Sequence, residues 1–319
     1  MTTAVSSSVT SAVSSSISCA VLSVALMALV AAPAHAGPAA NKADLERANK
    51  AVVTDFVSAI AGSVDPDTVA RRVSPHLIEH DPLARSGRDG TAAWIRAMRD
   101  KSPAQAITVK HLLADGDMVF VHSQVSATPA NEMSGTNRYD FYRLDKGWIV
   151  EHWVVQAPAP TRSANGNSAF SNLYAYPSAA PVLSPGRVEM NRLLVHSLSE
   201  EVFGKRNFGL LDRMWGPNYI QHNPYVANGR AALASVIGFI APPGSHYRVV
   251  RSMAEGDLAV ICSHNVQAGG DPKDEFSGGA VCDLFRVANF ELVEHWDVYQ
   301  QVPTSSLNGN SMFSSLYRK

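Results

Sequence analysis

The chain repeats itself, and that fact limits its fold more than any other. Ile78-Glu79-His80-Asp81-Pro82 returns as Ile220-Gln221-His222-Asn223-Pro224, and Asp140 through Trp153 returns without a gap as Asp283 through Trp296. The ends of the two copies agree best: TRSANGNSAFSNLY (161–174) and TSSLNGNSMFSSLY (304–317) share ten of fourteen residues. The period is far longer than that of a solenoid repeat, so each copy should be a domain with its own core. We place the first at 41–176 and the second at 186–319. The Pro/Ser/Ala stretch 177–185 between them is a semi-extended linker.

Across 319 residues, 46% hydrophobic content with 17% charge is enough to build both cores. The net charge of −1 and the absence of any basic stripe argue against nucleic acid or an anionic membrane as a main partner. Residues 1–36 carry no Lys, Arg, Asp or Glu, are apolar from Ala20 to Ala32, and end in Ala34-His35-Ala36. This pattern predicts a signal peptide cleaved after Ala36, although the usual basic start is missing, and places the mature chain in a secreted or periplasmic location with no membrane contact. Cleavage removes Cys19 and leaves Cys262 and Cys282. An oxidising compartment permits a bridge, but side chains on adjacent strands seldom meet disulfide geometry, so we expect two buried free thiols.

Within each copy helices precede strands. Met190, Leu194, Leu198 and Val202 recur with helical spacing before Gly204, as Leu45, Val52, Phe56 and Ile60 do before Gly62. A short second helix (67–73; 208–215), the His-Asx-Pro turn, a third helix (89–98; 230–240) and four strands follow. Gly116-Asp117 and Gly256-Asp257 mark tight hairpins. The expectation is α+β: two tandem cone-shaped barrels, each with helices on one face of a curved, mostly antiparallel sheet around a pocket.

Polar residues in apolar surroundings pick out Tyr219, His222, Asn223, His264, Asp283, His295 and Asp297 in the second copy, and His80, His122, Asp140 and His152 in the first. Strand alternation puts His295 and Asp297 on one face, with Glu294 and Trp296 on the other, where packing or a domain contact would use them. A His and a carboxylate facing a closed apolar cavity suit proton transfer, since burial raises the acid's pKa and lowers the histidine's. Asp297 would be the general acid/base, oriented by His222 or His295. The first copy has Val154 in place of Asp297 and is the less competent. Two-His, one-carboxylate metal sets can be drawn from either copy, but no spacing supports them, and we expect neither metal nor cofactor.

These motifs, His-Asn-Pro, Gly-Arg, Glu-Gly-Asp-Leu, Asp-Leu-Phe-Arg, Glu-His-Trp-Asp-Val and a tail ending Asn-Gly-Asn-x-Met-Phe, resemble the SnoaL-like polyketide cyclases of the nuclear transport factor 2-like superfamily. The resemblance spans nearly all of the mature chain, twice. It implies a cone with a deep pocket and a cofactor-free aldol condensation by an Asp/His pair, with Asp297 as the acid/base and His222, His264 and His295 around it. The expected function is an exported cyclase, isomerase or dehydratase acting on a small apolar carbonyl compound. The alternative is a non-catalytic binder of a small hydrophobic ligand. The two copies would pack as an internal pseudo-dimer, with a homo-oligomer also open.

Overall fold

A computed structural model describes residues 42–319; the expected signal peptide, with Cys19, lies outside the described residues. The first domain runs α1 (Lys42–Ile60), α2 (Pro66–Ala70), β1 (Val73–Glu79), α3 (Gly87–Lys101), β2 (Ala106–Asp115), β3 (Met118–Ser126), β4 (Thr136–Asp145) and β5 (Trp148–Pro158). The second runs α4 (Pro185–Ser199), which continues through a π-turn to Gly204, then α5 (Leu211–Met214), β6 (Trp215–Gln221), α6 (Arg230–Ile240), β7 (His246–Glu255), β8 (Leu258–Val266), β9 (Gly279–Ala288) and β10 (Glu291–Gln301). Among the described residues no helix is long and apolar enough to cross a membrane.

Each domain holds a five-stranded sheet, ordered β1-β5-β4-β3-β2 in the first and β6-β10-β9-β8-β7 in the second. The last four strands of each form an antiparallel meander, while the first strand joins it in parallel. That parallel strand corrects the sequence reading, which ended the second helix at 73 and gave four strands per copy. Pro75 and Pro217 hid it, because proline interrupts a strand pattern; both lie on sheet edges, where a missing N–H is tolerated. The helical stripe also differs. Leu45 and Met190 are exposed, and the buried faces instead carry Asn49 with Val53 and Asn191 with Val195. The two asparagines donate to the carbonyls of Gly116 and Gly256, clamping α1 and α4 onto the tips of the hairpins.

Both faces of each sheet are apolar. One packs on the domain's own helices, as with Val53, Phe56, Ile95, Val119 and Tyr142 in the first domain and Val195, Leu233, Ile261 and Phe285 in the second. The other packs on the opposite sheet, in one core shared by Phe120, Tyr139, Phe141 and Trp153 with Val260, Leu284, Trp296 and Val298. Double-sided burial leaves every residue of β3 buried, from the apolar run 118–121 to the polar His122, Ser123 and Gln124. In this core Cys262 and Cys282 are bridged, contrary to the expected free thiols. They face each other in register on β8 and β9 with Cα atoms 4.1 Å apart, the narrow spacing found at the closer of the two antiparallel pair types.

The Asn-Gly-Asn-Ser tails lie between the domains: Phe170 and Phe313 stack on His122 and His264 of their own halves, while other tail groups bond the opposite half. The Ser168 carbonyl meets His222 Nδ1 at 2.6 Å, and the Ser311 carbonyl meets His80 Nδ1 at 2.6 Å. Trp296 Nε1 donates to Ser171 O and Trp153 Nε1 to Ser314 O, each at 2.8 Å. The amides of Leu173 and Leu316 donate to Glu294 and Glu151 at 2.6 Å. Each domain is thus latched by the other's tail through the same set of bonds.

Candidate active site

Alternation along β9 and β10 decides what reaches the pocket of the second domain. Asp283 and Asp297 are directly opposed across the two strands, and His295 pairs with Gln221 at the end of β6. All four line a cavity of about 110 Å³, together with Tyr219, Asn223, Tyr247 and the apolar side chains of Phe203, Trp215, Val226, Leu233 and Phe285. Of the residues singled out from sequence, Tyr219, Asn223, Asp283, His295 and Asp297 therefore converge.

The bonding of this cluster fixes which nitrogen of His295 donates to Gln221. Gln221 Oε1 accepts the backbone N–H groups of His222 and Asn223, both at 3.0 Å, so it must also accept from His295 Nδ1 at 2.6 Å. The other ring nitrogen, Nε2, faces Asp283 Oδ1 at 2.9 Å. Burial alone would lower the pKa of His295; its bond to Asp283 and the nearby charge of Asp297 outweigh that and raise it. The protonated ring is thereby favoured, held against Asp283. Asp297 differs: burial raises its pKa, the Asp283 charge adds to the rise, and His295 only partly offsets them. One Asp297 oxygen is held by Asn223 Nδ2 at 2.6 Å. The other accepts no hydrogen bond among the described residues, which leaves it available to a ligand. A carboxyl that holds its proton more tightly than usual, beside a fixed cation, can take and return a proton within the cavity.

His222 and His264 do not join it. His222 follows Gln221 and so points to the other side of the sheet, where Nε2 bonds Glu294 Oε1 at 3.0 Å and the ring stacks on Trp296 with centroids 4.9 Å apart. It is a latch for the tail of the first domain, not an orienting group for Asp297. His264 shares the face of Cys262, bonds Ser277 O and stacks on Phe313; its neighbour Asn265 lines the cavity in its place. The metal sets drawn from sequence are split across the sheets for the same reason. A different trio, Asp283, His295 and Asp297, brings one ligand atom from each within 4.8 Å of the others. To bind a metal there, His295 would have to break its bond to Asp283, because its other nitrogen is committed to Gln221.

In the first domain the corresponding cavity is about 20 Å³, room for little more than a water. His152 bonds both Glu79 oxygens through Nδ1, at 2.8 and 3.0 Å, and Asp140 through Nε2 at 2.9 Å. Burial opposes its charge, but the two carboxylates prevail and push its pKa up to about 9. Asp140 is bound by Arg138 Nε at 2.9 Å to each oxygen. Against the pull of burial, Asp140 and Asp81 hold that guanidinium firmly protonated. This is a closed ion network with Val154 behind it, not a pocket. His80 and His122 lie on the opposite face: His80 between Glu151 and Ser311, and His122 between His111 Nδ1 at 2.8 Å and Asn137 Oδ1 at 2.9 Å. Sequence reasoning missed Arg138 and Gln221. The alternation that places Asp140 and His295 inside would have found both, since each lies two positions from a recognised pocket residue on its own side of a strand.

Residues 53–152 match the model of the SnoaL-like domain family. No curated protein matches the chain. Among solved structures, an NTF2-like protein of unknown function from Mesorhizobium loti is 19% identical, covering 36% of this chain and 93% of that one with a TM-score of 0.31. TsrD from Streptomyces laurentii is 20% identical over 37% of this chain and 92% of its own, with a TM-score of 0.29. A provisionally assigned polyketide cyclase from Sinorhizobium meliloti is 18% identical over 36% and 99%, with a TM-score of 0.29.

Proposed function

From the premise that this chain carries a SnoaL-like domain at 53–152 and repeats its architecture in the second half, we propose a cofactor-independent acid/base enzyme whose chemistry belongs to the second domain. The reaction class is proton transfer beside a carbonyl in a small compound, as in an aldol cyclisation, isomerisation or dehydration. The observation that carries this reading is Asp297: a half-buried carboxyl of raised pKa with one oxygen unbonded, facing a cavity of about 110 Å³ where the first domain has about 20 Å³. Asp297 takes the α-proton; the His295 imidazolium, fixed by Gln221 and Asp283, supplies a positive field as negative charge develops on the substrate oxygen. The fully buried Tyr219 keeps a neutral hydroxyl at working pH, because burial raises its pKa well above the ordinary value. Export is supported by the Cys262–Cys282 bridge, since disulfides persist in oxidising compartments.

The test is deuterium uptake at the α-carbon of a panel of small ketones in D2O, followed by NMR. We expect uptake with the native chain and its loss, by roughly two or more orders of magnitude, in Asp297→Asn. Equal uptake in the two proteins would sink the proposal. The alternative, a non-catalytic binder, is favoured by the apolar wall of Phe203, Trp215, Leu233 and Phe285. It would show as saturable ligand binding that Asp297→Asn leaves unchanged.

A further inference from the structure

The two domains supply an internal comparison at the same site. Asp140 and Asp283 are equivalent, as are His152 and His295, and in both domains the acid bonds the Nε2 of its histidine. In the first domain the same acid also receives a guanidinium: Arg138 Nε lies 2.9 Å from each Asp140 oxygen and Nη2 lies 2.8 Å from Oδ1. Arg138 Nη1 reaches Gln156 Oε1 at 3.0 Å, and the guanidinium carbon lies 5.1 Å from the Trp94 ring centroid. In the second domain the position of Arg138 is taken by Val281, whose shorter side chain lines the open cavity. No Lys or Arg lines that cavity. Asp283 is 6% exposed, and its second oxygen accepts no hydrogen bond among the described residues. A second acid, Asp297, stands opposite it where the first domain has Val154.

The second domain has therefore lost the cation that engages this acid and opened the space it occupied; it has gained Asp297 beside that acid, while Gln221 and Asn223 replace the Glu79 and Asp81 of the first domain. We propose that its cavity binds a small organic cation of guanidinium or amidinium type, which bridges Asp283 and Asp297 as Arg138 engages Asp140 in the first domain. A planar head with parallel N–H donors matches a carboxylate edge, whereas a spherical ammonium matches it less well. The remainder of the ligand would lie against Phe203, Tyr247 and Phe285. The assignment depends on the reading above for the location of the site alone: a cation seated on Asp297 occupies the oxygen that the acid/base reading uses, so it is a ligand that competes with a carbonyl substrate for the cavity.

The test uses the full chain and three probes at matched ionic strength: methylguanidinium, acetamidinium, and N-methylurea as an uncharged shape control. Calorimetry should show one saturable site for the cations and a loss of affinity of at least ~10-fold with the urea. Asp283→Asn should weaken the cations by a similar factor. Val281→Arg should abolish binding by filling the cavity from within. A second arm does not depend on those variants folding: Arg138→Ala, which opens the first domain's site, should raise the stoichiometry to two and regain thermal stability on adding methylguanidinium. Equal binding of urea and cation, or uptake of zinc or magnesium with no uptake of either organic cation, would overturn the proposal. Neither result would bear on carbonyl deuteration, so failure here and failure of the acid/base reading are separable.

Discussion

At the scale of single residues, Asp297 and His152 make opposite predictions about pH. The pKa of Asp297 is raised in the folded chain, so folding favours its protonated form and loses stability as pH rises through that value. Asp297→Asn, which can keep the Asn223 bond, should therefore melt at a higher temperature near neutral pH, by the equivalent of about 1 kcal/mol, while losing activity. Calorimetric melting of the two proteins decides it. The native activity should rise with pH through a midpoint above the usual carboxylate range, since the base must be ionised. His152 has a folded pKa of about 9, above the ordinary value of 6.5. Its stabilisation is complete below about pH 6.5 and is lost as pH climbs through 9. Melting temperatures between these limits should fall in the native chain and stay flatter in His152→Gln. The pairing of His295 with Asp297 on one face was legible from strand alternation. The place of His222 was not, because residue type marked it as a pocket group while alternation with Gln221 sends it through the sheet.

Among the elements, β8 and β9 are joined twice, by their hydrogen-bond ladder and by the Cys262–Cys282 bridge with a sequence separation of 20. Replacing both cysteines by serine should cost roughly 3 kcal/mol in denaturant unfolding, with little change in the first domain's hydrogen exchange. The tails make a stronger prediction. Ending the chain at Asn310 removes the acceptors for His80 and Trp153 and the donor to Glu151, along with the buried Met312 and Phe313. Exchange protection should then fall by ~3 kcal/mol or more in β1 and β5, which are remote in sequence, and less in β6 and β10. Neither device could be read from the chain. The bridge depends on a strand register that a one-residue slip would abolish. The tails show as a repeat, but nothing in a repeat says which copy its partner is. Helices and antiparallel strands were readable because each has its own periodicity; the parallel edge strands were not, because their prolines break it.

For the molecule as a whole, the sheet face carrying Trp296, Leu284 and Val298 is covered by the opposite domain, and its latch, Ser168 to Leu173, belongs to the other half. Residues 186–319 expressed alone should therefore self-associate or aggregate rather than remain monomeric, as light scattering after size-exclusion chromatography would show. The duplication itself was plain in the sequence; the unequal fate of the two pockets hung on Val154 and Asp297 and, less visibly, on Arg138 and Val281. The crossed tails also impose an order on synthesis. A ribosome releases the first domain's strands long before the residues that lock them, since Ser311, Ser314 and Leu316 follow the whole sheet of the second domain. The half that emerges first is locked only after the second has been made, and the nascent chain must be kept from aggregating until that latch arrives.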